Sequence, residues 1–352
     1  MQAETLCREL LNLSAQAGRT DSVDGLVEVA EAGRRFCAGL AGGETGGTWL
    51  SRLLSEFNDR VVEQVIRLTA AEHRLPAVPW CWLALGSEGR FEQTFTTDQD
   101  NGLIFSAADE REANALRELF VPFAKAVNGR LDRCGFAFCG GEVMAGNPLW
   151  CLSLDEWEWR FCEWVRRPEP MALMYATIFF DFRTLCGDAA LGTRLRKYVL
   201  GLTQDTPAFL HLMAANALQS EPPLSFLGEV VTEEGKDGGM VDLKKYGARI
   251  FVDAARIFAL AHGVDRVDTA GRLAEAGRVA GMQADEVEAA VAAFSHLLRL
   301  RLGRQARVLA AGAAPDHRVE PERLHEVDRA ILRESLRQGK RLQQRLKLNY
   351  AL

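Results

Sequence analysis

One stretch of the sequence, from Trp80 to Phe105, constrains the fold more than any other. The apolar segment Trp80–Leu85 predicts a strand that ends in the tight turn Gly86-Ser87-Glu88-Gly89-Arg90, and a second apolar strand follows at residues 101–105. Glycine adopts backbone angles that other residues resist, so the N–H groups of this turn can approach a phosphate closely. The Ser87 hydroxyl adds a further donor. The sequence therefore predicts a strand, a phosphate-sized turn and a second strand.

Two acidic residues stand just before the second strand. Asp98 and Asp100 are two positions apart on an extended segment, which places both carboxylates on one face. Mg²⁺ (or Mn²⁺) is commonly bound by one or two carboxylates together with substrate phosphates. Either piece alone is more typical of a surface turn or of residues that cap the next element. Their combination in this order favours a shared site for a metal ion and a triphosphate.

The same residues carry a resemblance to a known family. The pattern Gly-Ser, Gly-Arg-x-Glu and Thr-Asp-Gln-Asp-Asn resembles the signature of the nucleotidyltransferase superfamily. More closely, the chain resembles the nucleotidyltransferase-like proteins that are often fused to CBS and cyclic-nucleotide-binding domains, relatives of the N-terminal part of protein-PII uridylyltransferase. The likeness continues through Gly141–Trp150, Phe179–Arg183 and Val241–Lys244.

The resemblance implies a fold and a set of functional residues. The fold is α+β: a small mixed-sheet, polymerase-beta-like nucleotidyltransferase domain, flanked by an N-terminal helical segment and a C-terminal helical domain. Asp98 and Asp100 would be the catalytic, metal-binding carboxylates. The superfamily usually supplies a third carboxylate from a later strand, and Glu142 is the candidate for it here. The nucleotide-binding residues would be Gly86, Ser87, Gly89, Arg90, Lys244 and Arg249.

Composition and residue spacing argue against several other classes of protein. A hydrophobic content of 48% is ordinary for a globular protein with a sizeable core, and the net charge of −6 makes nucleic acid an unlikely partner. The eight cysteines form no C-x-x-C cluster, so we expect reduced thiols. Glu4 interrupts the apolar core that a signal peptide needs, and Asp181 ends the longest apolar run. We therefore expect a cytoplasmic protein with no membrane segment.

Periodicity and chain breakers predict three segments, and the resemblance implies the role of each. Residues 1–75 form an N-terminal helical segment with a Gly-rich break at residues 42–47, and residues 76–150 form the nucleotidyltransferase domain with a third strand at Phe136–Cys139. Residues 151–352 form the helical substrate-binding domain, with a hairpin near 224–243 that pairs Leu224–Val231 with Met240–Leu243 across Gly235 and Gly238-Gly239. Helices are predicted near residues 109–134, 170–182, 189–202, 206–218, 244–262, 269–280, 284–302 and 321–348.

Two clusters allow a nucleotide-binding or a packing interpretation. Tryptophan occurs four times between residues 150 and 164, and this spacing favours packing over stacking on a base. The predicted helix at residues 244–262 aligns Lys245, Arg249, Asp253 and Arg256 on one face. Its cations could meet a triphosphate, or they could form an ion-pair ladder along the helix. Both alternatives stay open.

The leading hypothesis is a Mg²⁺-dependent transfer of a nucleoside monophosphate from a nucleoside triphosphate to a hydroxyl, with release of pyrophosphate. The acceptor is a protein, as for protein-PII uridylyltransferase, or a small molecule. The alternatives are a module that senses nucleotide without turnover and a signalling scaffold. The sequence contains no Gly-x-x-x-x-Gly-Lys-Ser/Thr loop and no His-Asp doublet, so the resemblance extends to the transfer half of the uridylyltransferase alone. The sequence leaves the oligomeric state open.

Overall fold

Helices make up most of the protein, as the apolar periodicity predicts. The computed structural model describes residues 2–43, 45–233 and 239–352. Shorter helical turns lie at Pro148–Trp150, Lys244–Ala248 and Pro321–Arg323. The helices are α1 (Gln2–Arg19), α2 (Val23–Leu40), α3 (Gly47–Glu72), α4 (Gly86–Gly89), α5 (Glu110–Arg133), α6 (Leu154–Arg166), α7 (Pro170–Phe179), α8 (Ala189–Gln204), α9 (Pro207–Ala217), α10 (Arg249–Ala261), α11 (Thr269–Val279), α12 (Ala284–Ala310) and α13 (Glu326–Tyr350).

Among the described residues, four strands form a mixed sheet that confirms the predicted α+β class. Their order across the sheet is β3-β2-β1-β4. Strand β1 is antiparallel to both β2 and β4, and β2 is parallel to β3. Ala84 at the end of β1 lies opposite Asn101 at the start of β2. The turn after β1 and the aspartates before β2 therefore meet at the same end of these two strands. The strands are β1 (Trp80–Ala84), β2 (Asn101–Phe105), β3 (Cys151–Ser153) and β4 (Arg183–Gly187).

The chain divides into two compact units that differ from the predicted domains. The predicted boundaries at residues 75 and 150 do not separate them, because β4 pairs with β1 and because much of the N-terminal helical segment belongs to the unit with the sheet. The first unit comprises residues 1–39, 52–163 and 178–199, and the second comprises residues 40–51, 164–177 and 200–352.

The predicted third strand at Phe136–Cys139 is wrong. Its described residues form one bridge, between Asp98 and Ala137, in which the Gln99 N–H donates to the Ala137 carbonyl at 2.9 Å. The strands that complete the sheet, β3 and β4, were not predicted. Strand β3 is three residues long, and β4 follows an apolar run whose spacing is helical, so neither has a clear period-two pattern.

The predicted hairpin near residues 224–243 is present as one antiparallel bridge, in which Glu233 and Met240 exchange two backbone hydrogen bonds at 2.9 and 3.1 Å, but Leu224–Val231 does not pair with Met240–Leu243 as predicted. Val241–Asp242 (β5) pairs antiparallel with Arg318–Val319 (β6), a partner too distant in sequence for a local pattern to reveal. Leu224 bridges Val230 within its own short loop. Of the predicted turn residues, Gly235 and Gly238 lie outside the described residues.

Aromatic packing holds helix α5 against the sheet. The rings of Phe105 on β2 and Phe120 on α5 stack with centroids 5.3 Å apart, and the rings of Trp80 and Phe123 meet edge to face at 5.6 Å. Phe105, Phe120 and Phe123 are fully buried, and burial of one such side chain stabilises a fold by roughly 1.5–3 kcal/mol. This packing holds the start of β1 and the end of β2, at the opposite end of the strand pair from Ala84 and Asn101, where the predicted site lies.

The packing interpretation of the tryptophan cluster is confirmed for three of its four members. In the first unit, the buried Trp157 donates its indole N–H to the Leu103 carbonyl at 3.1 Å. Trp150, also buried, packs against Phe179 with ring centroids 4.4 Å apart. Trp164 is buried in the second unit. Trp159 differs, because 59% of its surface is exposed.

The second unit is a helical assembly around α10. Every residue of α10 from Ile250 to Leu260 is buried, and the helix contacts α9, α11 and α13. The predicted helix at 244–262 is an α-helix from Arg249 to Ala261. Residues 244–248, predicted as its first turn, form a wider π-helical turn instead. None of the helices in the described part of the chain is long and apolar enough to cross a membrane.

Candidate active site

The predicted turn after β1 is a single helical turn, α4, packed against one of the two aspartates. Gly86 has a φ of +54°, in the left-handed region that glycine adopts without a steric penalty. A Cβ atom at Gly86 would lie 2.8 Å from Asp100 Oδ2, closer than real Cβ contacts. Two features therefore require glycine at this position: the left-handed backbone angle, and the carboxylate that leaves too little space for a Cβ atom.

One backbone hydrogen bond ties this turn to the segment before β2, and another closes the turn itself. The Leu85 N–H donates to the Asp100 carbonyl at 2.9 Å, and the Arg90 N–H donates to the Gly86 carbonyl at 3.1 Å. The half-buried Ser87 hydroxyl makes no hydrogen bond to another described residue. The turn is thus fixed at both ends while its serine remains available for a ligand.

Asp98 and Asp100 point to the same side, as their spacing predicts. Their carboxylate oxygens and the Cys139 sulfur all lie within 4.8 Å of one another. Gln99, between them, points the other way and is buried, where its amide donates to the Phe136 carbonyl at 2.8 Å. The buried glutamine holds the extended segment in register, so both carboxylates face the cluster.

Cys139 is the third member of the cluster, and sequence reasoning did not find it. Burial raises the pKa of its thiol, and the charge of Asp100, to which the thiol donates a hydrogen bond, raises it further. A protonated thiol is a poor ligand for a hard cation, so the two carboxylates are the oxygen ligands that this cluster offers to Mg²⁺. The contact that brings Cys139 to the acidic pair is the bridge between Asp98 and Ala137, because Ala137 lies two residues before the cysteine. No local sequence pattern predicts this bridge.

Glu142, the predicted third carboxylate, lies outside the cluster. Its side chain is exposed and its φ is +54°. Its carbonyl accepts hydrogen bonds from the Trp150 indole at 3.0 Å and from the Asn147 side chain at 3.1 Å. The structure thus gives Glu142 a role in shaping a loop, and its role as a metal ligand stays a prediction.

Comparison with known families agrees with this geometry. Residues 33–171 match the family described as Putative nucleotidyltransferase DUF294, and residues 207–350 match its companion, described as Putative nucleotidyltransferase substrate binding domain. Together the two matches cover most of the sequence. The chain belongs to this nucleotidyltransferase family. No curated protein matches it.

The residues of the cluster fit a divalent cation. Asp98 and Asp100 supply hard oxygen donors, the type that Mg²⁺ and Mn²⁺ prefer. The absent side chain at Gly86 leaves the Asp100 carboxylate accessible from the turn, because any Cβ there would meet Oδ2. The turn and the acidic pair therefore lie side by side, and their contacts with phosphate and metal stay predictions.

Arg90 and Gly89 shape the turn. Arg90 donates to Glu92 at 2.7 Å and to the fully buried Asp181 at 2.6 Å, and 11% of its side chain is exposed. A Cβ at Gly89 would lie 2.0 Å from the Asp181 carbonyl, so this glycine allows two backbone segments to pack together. The geometry thus supports a structural role for both residues, and their contact with nucleotide stays a prediction.

Two acids near the cluster were also missed, the buried Glu88 and the largely buried Asp59. Burial raises the pKa of Glu88 well above its ordinary value, and the negative charge of Asp59 raises it further. Burial likewise raises the pKa of Asp59, although the Arg183 guanidinium partly opposes that shift. Asp59 comes from α3, far from the turn in sequence, so no local pattern could have revealed this arrangement.

The predicted cations of the second unit are arranged as an ion-pair ladder. Asp253 accepts from Arg249 at 3.3 Å and from Arg256 at 2.6 Å, and Arg256 also donates to the Thr177 carbonyl at 3.0 Å. This agrees with the ladder interpretation for Arg249 and Arg256. Lys244 is exposed. The contact of Lys244 and Arg249 with nucleotide stays a prediction.

Proposed function

We propose that this chain transfers a nucleoside monophosphate from a nucleoside triphosphate to a hydroxyl group. The observation that carries the proposal is the contact between the Gly86 turn and the Asp100 carboxylate, because it would join a phosphate site to a metal site. The acceptor oxygen would bond to the α-phosphorus as the bond to the pyrophosphate breaks. Asp98 and Asp100 would hold Mg²⁺ or Mn²⁺, which neutralises the charge of the phosphates when bound.

The chain's own residues would do the positioning. The Ser87 hydroxyl and the turn N–H groups would bind the phosphates beyond the reacting one. Gln99, anchored in the core, would keep both carboxylates aimed at the same metal ion. Catalysis of this type depends mainly on orientation and on charge neutralisation, which a rigid turn and a fixed acidic pair can supply.

The nature of the acceptor belongs to the same proposal. The family description assigns residues 207–350 to substrate binding, which supports a role for the second unit in recognising the acceptor or the nucleotide. Lys244 and Arg249 are the candidates there for phosphate contact. By resemblance to protein-PII uridylyltransferase, we propose a protein acceptor first and a small-molecule hydroxyl second.

A second candidate function is nucleotide sensing without turnover. The observation that favours it is the third position of the cluster, where the structure has the Cys139 thiol and leaves the Glu142 carboxylate outside. A site with two carboxylates could still bind a metal–triphosphate complex. With fewer negative ligands it would stabilise the reacting state less well than a site with three.

A labelling experiment separates the two functions. The purified protein is incubated with Mg²⁺ and each α-labelled nucleoside triphosphate, with and without cell lysate. Transfer predicts covalent label on a protein or small molecule from one nucleotide, lost in Asp100→Asn. Asp188→Asn is the matched control, since Asp188 caps a helix by accepting from the Ala190 N–H. Binding without pyrophosphate release would favour sensing, and the absence of binding to all four nucleotides would refute both functions.

A further inference from the structure

A second arginine, Arg183 at the start of β4, contacts the Gly86–Gly89 turn. Its guanidinium donates to the Glu88 carbonyl at 3.1 Å, and the same carbonyl accepts from the Phe91 N–H at 3.2 Å. Both interactions converge on one oxygen of the turn. The exit of the turn is thus fixed by a side chain from a distant strand as well as by its own backbone.

The guanidinium also supports a strained residue. Arg183 lies over the Phe91 ring, 3.8 Å from its centroid, and Phe91 has a φ of +58°. A non-glycine residue persists in this region when its surroundings hold it there. The stacked guanidinium is such a support, since it covers the ring directly after the turn.

Asp59 on α3 holds the guanidinium in place. Arg183 donates to the Asp59 carboxylate at 2.7 Å, and each of these two side chains is 14% exposed. A pair this sheltered from water is less screened than a surface ion pair. The pair therefore links α3 to the turn through one planar group with three partners.

We infer that Arg183 is a positioning residue for the phosphate-binding turn, with Asp59 as its counter-charge. The link to phosphate rests on the proposed function, whereas the positioning itself is a property of the unliganded protein. Lysine at position 183 would keep the charge opposite Asp59. It would lose the planar fork that bonds the Glu88 carbonyl while stacking on Phe91.

The test compares Arg183→Lys with Arg117→Lys. Arg117 has the same kinds of partner away from the turn, the Glu156 carboxylate and the Cys151 carbonyl at 3.0 Å. Hydrogen exchange is measured on the unliganded proteins, with the unfolding midpoint and the affinity for each Mg²⁺–nucleoside triphosphate. In Arg183→Lys we expect exchange of residues 85–92 to accelerate by about tenfold and triphosphate affinity to fall by about tenfold. Its unfolding midpoint should match that of Arg117→Lys.

Two outcomes would overturn the inference: unchanged exchange of residues 85–92 in Arg183→Lys, or acceleration spread equally over the whole first unit, as general destabilisation produces. If Arg183→Lys does not fold, Asp59→Asn provides the same readout, with a smaller acceleration expected in the same residues. Because the exchange measurement needs no nucleotide, it decides the positioning role even if the wild-type protein binds no triphosphate. In that case the proposed function fails separately.

Discussion

Replacement of Gly86 by alanine tests the geometry of the turn most sharply. The left-handed backbone angle of Gly86 is unfavourable for alanine by about 1–2 kcal/mol. The new Cβ would lie 2.8 Å from Asp100 Oδ2, so the carboxylate would have to move by about 0.6 Å to reach the 3.4 Å of an ordinary contact. We expect the free energy of unfolding to fall by about 1–2 kcal/mol. Displacement of a metal ligand should also weaken binding of a Mg²⁺–nucleoside triphosphate by about tenfold or more.

The assay combines urea unfolding with titration of the nucleotide, and Gly129→Ala is its matched control. Gly129 lies inside α5 and has open space where its Cβ would be, so alanine there should leave binding unchanged and raise stability by roughly 0.5–1 kcal/mol. The same substitution thus has opposite expected signs at the two sites. Wild-type stability together with wild-type affinity in Gly86→Ala would refute the reasoning.

Three further predictions address individual groups. Because burial raises the pKa of the Cys139 thiol, we expect iodoacetamide to modify it more slowly at neutral pH than the half-buried Cys162; an equal rate, followed by mass spectrometry, would contradict this. Because the pKa of Glu88 is raised in the fold, its stabilising contribution is complete below its unfolded pKa and lost as pH rises through the folded pKa. Urea unfolding should therefore show Glu88→Gln gaining stability over wild type at pH 8 and little at pH 4, whereas a pH-independent difference would exclude this explanation. For Lys244→Gln and Arg249→Gln we expect weaker, salt-sensitive triphosphate binding with little change in unliganded melting temperature; unchanged affinity in both would move this region to acceptor recognition.

The parts of the site that the sequence predicted lie within one short segment. Gly86, Ser87, Asp98 and Asp100 fall between two strands that pair directly, so local rules on turns and strand alternation were enough to bring them together. The α+β class followed from the same segment and from the long helical periodicities around it. The structure brings the predicted residues together because sequence neighbours are also spatial neighbours here, and their roles stay predictions.

The parts that were missed depend on long-range contacts. Cys139 reaches the acidic pair through a bridge formed about forty residues along the chain, and Asp59 meets Arg183 across more than one hundred residues. Strand β3 is too short for its alternation to be recognised, and β5 pairs with a strand that no turn signal connects to it. Such contacts are decided by packing of the whole unit, which periodicity does not encode.

The most direct test of the account is binding of Mn²⁺ with a non-hydrolysable nucleoside triphosphate analogue, followed by the loss of the free Mn²⁺ signal in electron paramagnetic resonance. The wild-type protein and Cys139→Ser should bind the complex equally well, because carboxylate oxygens are the expected ligands. Asp98→Asn and Asp100→Asn should each weaken binding by at least about tenfold, since a neutral amide is a poor substitute for a hard anionic ligand. Undiminished binding in both aspartate variants, with the fold intact, would contradict the placement of the metal and the triphosphate beside the Gly86 turn.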